Sequence, residues 1–394
     1  MRTLRQIKNL KGKRVLLRVD FNVPLEKGRV TDDTRIRESL PTIKYLMRKG
    51  AIVIAVSHLG RPEGEYDKGY VMDPVARKLQ KLLGKKVIKL DDCVGPKVEK
   101  AILKAKPGSV FLLENVRFHP GEMKNNKSFS KALAGLADVF ISDSFGTAHR
   151  THSSTVGVAD YLPAYAGLLM EKEIKALSPL LKKPRSPMAV IIGGAKIDTK
   201  IGVIRNFLDT ADYILIGGAL ANTFLAAEGH DIGKSFHEHG RIAVAQDILM
   251  EAEKKHAVLL FPEDAIVADE ASHYAKAIDL PLEDIEGNMK IFDIGSLTVR
   301  KFVSVLKKCK TIVWNGPVGL FEFTPFASGT KAIARTLSGL RGKAKTYIGG
   351  GDTVDALYRC GVSPKRFTHV STGGGAMLEF LEGKVLPGVA VLCK

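Results

Sequence analysis

Arginine and histidine recur in the first half of the chain, directly after short apolar, β-branched runs. A guanidinium group can donate two parallel hydrogen bonds to a phosphate or a carboxylate, so these residues suit the binding of small anions. A single loop arginine is usually solvated or salt-bridged, but repetition at successive strand ends indicates a shared pocket. The segments are Asp20–Pro24, Ser57–Pro62, Glu114–His119 and Asp143–Arg150, and they supply Arg61, Arg117 and Arg150.

Glycine clusters follow the corresponding runs in the second half. Glycine lets the backbone approach a ligand closely, and a helix N-terminus presents free N–H groups to phosphates. One Gly-Gly pair more often marks a turn, but several clusters favour a nucleotide-binding cradle. The clusters are Gly193-Gly194-Ala195-Lys196, Gly217-Gly218, Gly316-Pro317, Gly349–Thr353 and Gly373–Gly375.

The sequence lacks the common nucleotide-binding fingerprints. It contains no GxxxxGK[ST] loop, no GxGxxG followed by an acid ~20 residues later, and no combination of glycine loop, HRD and DFG. These absences argue against P-loop enzymes, nicotinamide dehydrogenases and protein kinases.

Three further residue types could complete a phosphate site. Lys196 and Lys200 are four residues apart at a predicted helix start, so both could point the same way. Asp352 follows three glycines and is a candidate metal ligand, because carboxylates and substrate phosphates commonly bind Mg²⁺ together. Glu322 could accept hydrogen bonds from ribose hydroxyls, although its spacing fits an ordinary surface acid equally well.

Apolar runs alternate with amphipathic helical patterns along the whole chain. This alternation predicts parallel sheets covered by helices, whose ligands bind beyond the carboxyl ends of the strands. The runs, among them Lys290–Ile294, are too many for one open sheet, so we expect two. The best boundary is the polar segment 182–187, which follows the helical stretch Leu168–Leu181.

The composition predicts a soluble protein with anionic partners. Lys and Arg total 60 against 42 Asp and Glu, a net charge of +18, which suits phosphorylated metabolites or nucleic acid; a solvated basic surface is the simpler alternative. No apolar run approaches the ~18 residues of a membrane helix, and Met1–Lys8 does not resemble a signal peptide. We therefore expect a cytoplasmic location. The four scattered cysteines predict neither disulfides nor a zinc framework.

Eight segments resemble the phosphoglycerate kinase family, and they occur in that family's order. The resemblance covers the whole chain and is similar to the bacterial form. It implies an α/β fold of two Rossmann-like lobes, each a parallel sheet flanked by helices, joined by a helix with an active-site cleft between them. The segments are RVDFNVP (Arg18–Pro24), SHLGRP (Ser57–Pro62), ENVRFHP (Glu114–Pro120), FGTAHR (Phe145–Arg150), GGAK (Gly193–Lys196), WNGPVGLFE (Trp314–Glu322), GGGDT (Gly349–Thr353) and STGGGA (Ser371–Ala376).

The sequence and the resemblance together predict the domain organisation. Residues 1–169 form a lobe that binds 3-phosphoglycerate, 170–185 a linking helix and hinge, and 186–376 a nucleotide-binding lobe. The tail, about 377–394, is expected to pack back on the first lobe.

The resemblance also implies roles for individual residues. The residues implied to hold 3-phosphoglycerate or its acyl phosphate are Asp20, Asn22, Arg35, His58, Arg61, Arg117 and Arg150. Those implied to contact the adenine nucleotide are Gly194, Ala195, Gly217, Gly218, Asn315, Gly316, Pro317 and Glu322. Those implied to surround the phosphates and a Mg²⁺ ion, with Asp352 as metal ligand, are Lys196, Lys200, Gly349, Gly350, Gly351, Asp352, Thr353, Gly373 and Gly374.

The implied reaction is reversible transfer of a phosphoryl group between 1,3-bisphosphoglycerate with ADP and 3-phosphoglycerate with ATP. The nucleophile is an anion in both directions, so catalysis needs placement and charge neutralisation rather than a general base. Arg35 and Lys200 are the expected main contributors, assisted by Lys196, Mg²⁺ and the amides of Gly373 and Gly374. We expect a monomer without nucleic-acid or membrane partners. The alternatives are another two-lobed kinase acting on a carboxylate, or a basic nucleic-acid-binding protein.

Overall fold

A computed structural model describes residues 1–393, which divide into two compact units. Unit 1 comprises residues 1–176 together with the segment that begins at Val385, and unit 2 comprises residues 177–384. The division falls within one continuous helix, Leu168–Lys182. No helix in the described part of the chain is both long and apolar enough to cross a lipid bilayer.

Unit 1 is built on a six-stranded, fully parallel sheet with the strand order β5-β6-β4-β1-β7-β8. Its strands, with a separate antiparallel hairpin formed by β2 and β3, are β1 Arg14–Arg18, β2 Leu25–Glu26, β3 Arg29–Val30, β4 Ile52–Val56, β5 Ile88–Lys89, β6 Val110–Leu112, β7 Val139–Ser142 and β8 Ala164–Ala166. Its helices are α1 Thr34–Arg48, α2 Asp73–Leu83, α3 Pro96–Leu103, α4 Pro120–Met123, α5 Lys127–Gly135 and the first part of α6 Leu168–Lys182.

The centre of this sheet is apolar and buried on both faces. Leu16 of β1 lies in register with Ile54 of β4 on one side and with Phe140 of β7 on the other, and all three are fully buried. Continuous apolar strands of this kind are expected where helices cover both faces of a parallel sheet.

Unit 2 repeats the architecture with a parallel sheet in the order β11-β10-β9-β15-β16-β17. The strands of unit 2 are β9 Met188–Ile192, β10 Tyr213–Ile216, β11 Val258–Leu260, β12 Asp264–Ala268, β13 Ile278–Pro281, β14 Lys290–Ile294, β15 Thr311–Asn315, β16 Lys345–Gly349 and β17 His369–Val370. Its helices are α7 Ile201–Leu208, α8 Gly218–Ala227, α9 Ile242–Ala252, α10 Ser296–Lys308, α11 Ser328–Gly339, α12 Gly351–Arg359 and α13 Gly375–Leu381. Two parallel sheets flanked by helices confirm the predicted fold class.

Unit 2 also contains an antiparallel sheet of three strands, β13-β12-β14, which the sequence did not predict. The run Lys290–Ile294 was counted among the strands of the parallel sheets, but it pairs with β12 in the antiparallel sheet. The two environments are hard to distinguish from sequence because short β-branched runs occur in both.

Three buried aspartates accept hydrogen bonds at the beginnings of helices. Asp143 accepts from the amides of Leu169 and Met170 in α6, Asp264 from that of Thr298 in α10, and Asp293 from the amide of Gly329 in α11. Such bonds satisfy amides that lack a partner within the helix, and the helix dipole favours the negative charge. Burial nevertheless raises the pKa of Asp143 and of Asp293 to about 7.

The C-terminal segment returns to unit 1. The amide of Arg2 donates a hydrogen bond to the carbonyl oxygen of Leu392 at 2.7 Å. The amide of Gly388 donates one to the carbonyl oxygen of Ala148 at 2.8 Å. This segment begins at Val385, later than the predicted 377, because α13 packs against α7 within unit 2.

Candidate active site

Most of the candidate anion-binding residues of unit 1 lie on loops that follow four neighbouring strands. In the sheet, β6, β4, β1 and β7 are consecutive, and parallel strands end at the same edge. The residues after these strands are Asp20 and Asn22 after β1, His58 and Arg61 after β4, Arg117 after β6, and Arg150 after β7. Arg35 comes from the first turn of α1.

Hydrogen bonds connect these loops to one another. The Arg117 guanidinium donates to the carbonyl of Gly60 at 2.7 Å, and the amide of Gly60 donates to Oδ1 of Asn22 at 2.8 Å. Asp20 forms an ion pair with Arg35. We call this group, Asp20, Asn22, Arg35, His58, Arg61, Arg117 and Arg150, the basic edge of unit 1. Contacts between side chains and backbone hold its loops in place, in addition to the sheet itself.

The basic edge contains several arginines close to one another. Burial, together with the positive charges of Arg150 and Arg18, lowers the pKa of Arg117 to about 10. Burial and several arginines, first among them Arg18, also hold the pKa of His58 well below its usual value, so this imidazole is neutral at pH 7. Within residues 1–393, Arg61, Arg117 and Arg150 form no ion pair. A bound polyanion would relieve this repulsion.

Arg18 belongs to the same group of basic residues, although no role for it was predicted from the sequence. Its side chain is only 1% exposed, and its Nη2 lies 3.2 Å from Nδ1 of His58. The buried carboxylate of Glu122, which accepts two hydrogen bonds from Ser154, supplies nearby negative charge. An arginine at the end of the apolar run Arg14–Arg18, immediately before a candidate loop, was the available signal.

Four of the five glycine clusters of unit 2 follow the consecutive strands β10, β9, β15 and β16, and the fifth, Gly373–Gly375, follows β17 at the end of the sheet. Much of their glycine content serves the packing of loop against loop. A Cβ atom on Gly218 would lie 2.8 Å from the backbone nitrogen of Gly194, and a Cβ atom on Gly316 would collide with Gly193. Both residues also have positive φ, +66° and +96°, which favours glycine.

These loops border a cavity of about 710 Å³. That volume lies within the usual range for small-molecule sites, roughly 300–1,000 Å³. Six of the predicted nucleotide or metal residues line it, namely Gly194, Ala195, Gly218, Pro317, Glu322 and Asp352. The apolar walls formed by Leu225, Phe292 and Leu320 were not predicted from the sequence, because apolar residues carry no specific chemical signal.

Other predicted residues of unit 2 lie behind this lining. A Cβ atom on Gly217 would press against Val318 at 2.7 Å, and Oγ1 of Thr353 accepts the amide of Gly316 at 2.7 Å. The amide of Gly373 donates to Oγ of Ser371, while Gly374 precedes α13. Thr353 therefore holds the loop at Gly316 through a hydrogen bond and does not line the cavity. Gly349 and Gly350 lie beside the side chain of Asn315.

Lys196 and Lys200 have different environments. Lys200 is 8% exposed and donates a hydrogen bond to Oδ1 of Asn315, whereas Lys196 is exposed. The predicted common orientation relied on helical spacing, but α7 begins only at Ile201. Burial lowers the pKa of Lys200 to about 8, partly offset by the negative charge of Asp352.

An arginine-rich sheet edge in one unit and a glycine-bordered cavity in the other are the features expected of an α/β phosphotransferase that acts on a small anionic molecule. The phosphoglycerate kinase family model matches residues 4–384. The chain belongs to the phosphoglycerate kinase family.

Relatives and solved structures agree with this assignment. The phosphoglycerate kinases of Pelotomaculum thermopropionicum and Moorella thermoacetica are 53% and 52% identical, over 99% and 97% of this chain and 98% and 97% of their own lengths. The structure of phosphoglycerate kinase from Coxiella burnetii has a TM-score of 0.89 at 42% identity, covering 99% of this chain and 98% of that chain. That from Pyrococcus horikoshii has a TM-score of 0.86 at 35% identity, covering 100% and 98%.

The predicted activity is therefore confirmed at the level of the enzyme. The protein is a phosphotransferase with a carboxyl group as acceptor, and it exchanges a phosphoryl group between 3-phosphoglycerate and an adenine nucleotide.

Proposed function

We propose that the basic edge of unit 1 binds 3-phosphoglycerate and its acyl phosphate. The residues assigned to this site are Asp20, Asn22, Arg35, His58, Arg61, Arg117 and Arg150. The observation that carries the proposal is that Arg61, Arg117 and Arg150 form no ion pair within the described residues, while burial and then the charges of Arg150 and Arg18 lower the pKa of Arg117. A small anion with a phosphate and a carboxylate supplies the charge that this edge lacks. The ion pair with Asp20 orients Arg35 within the site.

The cavity of unit 2 is proposed to bind ADP or ATP. Its apolar walls suit a purine ring, and Glu322 offers a carboxylate to ribose hydroxyls. The backbone at Gly194 has open space where a side chain would lie, so phosphate oxygens can approach it closely. Lys196 and Lys200 then provide cations on the phosphate side of the site.

Asp352 is proposed to hold the Mg²⁺ ion that accompanies the nucleotide. Its carboxylate is exposed in the first turn of α12, lines the cavity, and forms no ion pair within the described residues. One carboxylate with substrate phosphates and water is a common Mg²⁺ environment, so the residue fits this role. When bound, the ion would neutralise charge on the phosphates.

The side chains of the site need no proton transfer for this reaction. The attacking oxygen is already anionic, either on the carboxylate or on the terminal phosphate of ADP. Arg35 and Lys200 are proposed to stabilise the negative charge on the phosphoryl group in transit, assisted by Lys196 and by amides at Gly373 and Gly374. Asn315 keeps the Lys200 ammonium fixed through its hydrogen bond.

A coupled assay tests this proposal. Turnover of ATP with 3-phosphoglycerate should require added Mg²⁺ and should be lost in Asp352→Ala, while Asp355→Ala, an exposed acid of the same helix, should retain it. Equal turnover with unrelated carboxylates, or full activity of Asp352→Ala, would contradict the assignment. We further propose that the enzyme acts in the cytoplasm as a monomer, which light scattering can check.

A further inference from the structure

A separate group of chemically reactive side chains lies in unit 1, next to the basic edge. Asp92, Cys93 and His119 each offer one ligand atom, and these three atoms lie within 4.8 Å of one another. Asp92 and Cys93 follow β5, and His119 follows β6, the neighbouring strand. None of the three has a role in the phosphoryl transfer described above.

The separations are compatible with a single bound ion. Zinc–ligand bonds of about 2.0–2.3 Å place tetrahedral ligand atoms well within 4.8 Å of one another. At present Nε2 of His119 lies 2.7 Å from Oδ1 of Asp92, so these two groups already face each other. The His119 ring stacks on Phe129, with 4.7 Å between ring centroids and 24° between planes, which restricts its orientation.

The charge around the thiol also favours a cation. Cys93 is fully buried and donates its S–H to the carbonyl of Glu114 at 2.9 Å. The carboxylates of Asp92, Glu122 and Glu114 lie close enough to place negative charge around this sulfur. The same negative charges that oppose a thiolate alone would stabilise a divalent ion bound to it.

We propose that Asp92, Cys93 and His119 form a binding site for a zinc-like divalent cation. A thiolate with an imidazole selects a borderline or soft metal over Mg²⁺. The sulfur–metal bond forms as the thiol proton leaves to solvent, and water occupies the remaining coordination position. The ion links the loops after β5 and β6. Cysteine spacing alone gave no indication of this site, because the other two ligands are not cysteines.

Cadmium is the probe of choice because a cadmium–thiolate bond gives an ultraviolet charge-transfer band. The experiment uses the untagged, reduced full chain in a Cys360→Ser, Cys393→Ser background, which removes the two thiols that are not buried. We expect the band to saturate at one Cd²⁺ per chain. Calorimetric titration with Zn²⁺ should give the same stoichiometry.

Variants distinguish the site from adventitious binding. Cys93→Ser should abolish the band, whereas Cys309→Ser, which removes the other buried thiol, should preserve it. His119→Ala and Asp92→Asn should each weaken Cd²⁺ binding by roughly tenfold or more. Absence of the band in the parent, or its persistence in Cys93→Ser, would overturn the proposal. If Cys93→Ser fails to fold by circular dichroism, unchanged affinity in both His119→Ala and Asp92→Asn would overturn it instead.

Discussion

The two six-stranded parallel sheets present different chemistry at their carboxyl ends. The edge of unit 1 is made of side chains, chiefly the guanidinium groups of Arg61, Arg117 and Arg150. The edge of unit 2 is made largely of backbone, with glycines packed loop against loop around a cavity. A small, highly charged metabolite offers little surface besides its anionic groups, whereas a nucleotide offers a large ring and a chain of phosphates. If each unit binds the substrate proposed for it, the same architecture serves recognition by side chains in unit 1 and largely by the main chain in unit 2.

The largest effect should come from Lys200, a buried lysine of unit 2. Lys200→Met keeps the side-chain volume but removes the ammonium group, so we expect kcat to fall by about 100- to 1,000-fold with little change in KM. Steady-state kinetics with varied 3-phosphoglycerate and ATP checks this. Lys276→Met, an exposed lysine of the same unit, should behave like the parent enzyme. An unchanged kcat in Lys200→Met would remove Lys200 from the chemistry.

A substitution of Arg117 tests whether the basic edge of unit 1 binds 3-phosphoglycerate and not the nucleotide. Arg117→Ala should weaken 3-phosphoglycerate binding by about 1.5–3 kcal/mol, or roughly 10- to 150-fold, and leave ATP binding intact. Calorimetric titration with each ligand separates the two effects. Arg117→Lys should recover only part of the affinity because lysine lacks the planar fork. Equal weakening of both ligands would show that Arg117 is structural.

The pH dependence of kcat/KM provides a third test. In its proposed role Lys200 must be protonated to neutralise phosphate charge, and burial lowers its pKa to about 8. The active form therefore predominates below pH 8, and kcat/KM should fall by about tenfold per pH unit above it. Lys200→Arg, which stays charged, should lack this decline whatever its absolute activity. A profile that falls identically in both proteins would assign the ionisation to another group.

Two glycines distinguish loop packing from ligand access. Gly218→Ala should lower the free energy of unfolding by about 1–3 kcal/mol, since its Cβ would press against Gly194 at a positive φ. Gly351→Ala meets no atom within 4 Å and should leave stability unchanged within about 1 kcal/mol. If Gly351 is needed for close approach of phosphates, ATP affinity should nevertheless fall in that variant. Denaturant unfolding and ATP titration measure the two quantities; equal stability loss in both variants would contradict the distinction.

Sequence patterns predicted the helices and strands well, but they predicted the environments of individual side chains less well. Apolar runs located most strands of both parallel sheets, and polar or glycine residues after them marked the loops at the candidate site. The antiparallel strands β12 and β13 were missed because their pairing is a tertiary property that short segments do not encode. The different burial of Lys196 and Lys200 depends on where α7 begins, and helix boundaries are the least certain part of any sequence-based assignment.

The residues of the candidate site were also predicted only in part. Arg61, Arg117 and Arg150 were identifiable because charge after an apolar strand is unusual, whereas the walls at Phe292 and Leu320 resemble any other apolar residues. Arg18 was overlooked because it is the last residue of strand β1 and not part of the loop that follows it. The group Asp92, Cys93 and His119 required the neighbouring positions of β5 and β6, which local sequence does not reveal.

The return of the C-terminal segment to unit 1 determines the order in which the units can be completed during synthesis. Once residues up to 384 have left the ribosome, unit 2 has every residue it needs as one uninterrupted stretch. Unit 1 still lacks the buried side chains of Leu386 and Leu392 and the carbonyl that receives the amide of Arg2. Unit 1 is therefore translated first for the most part, but it can complete its fold only after unit 2. A nascent chain stalled before Val385 should present a complete unit 2 and a unit 1 that proteases and chaperones can still recognise as unfinished.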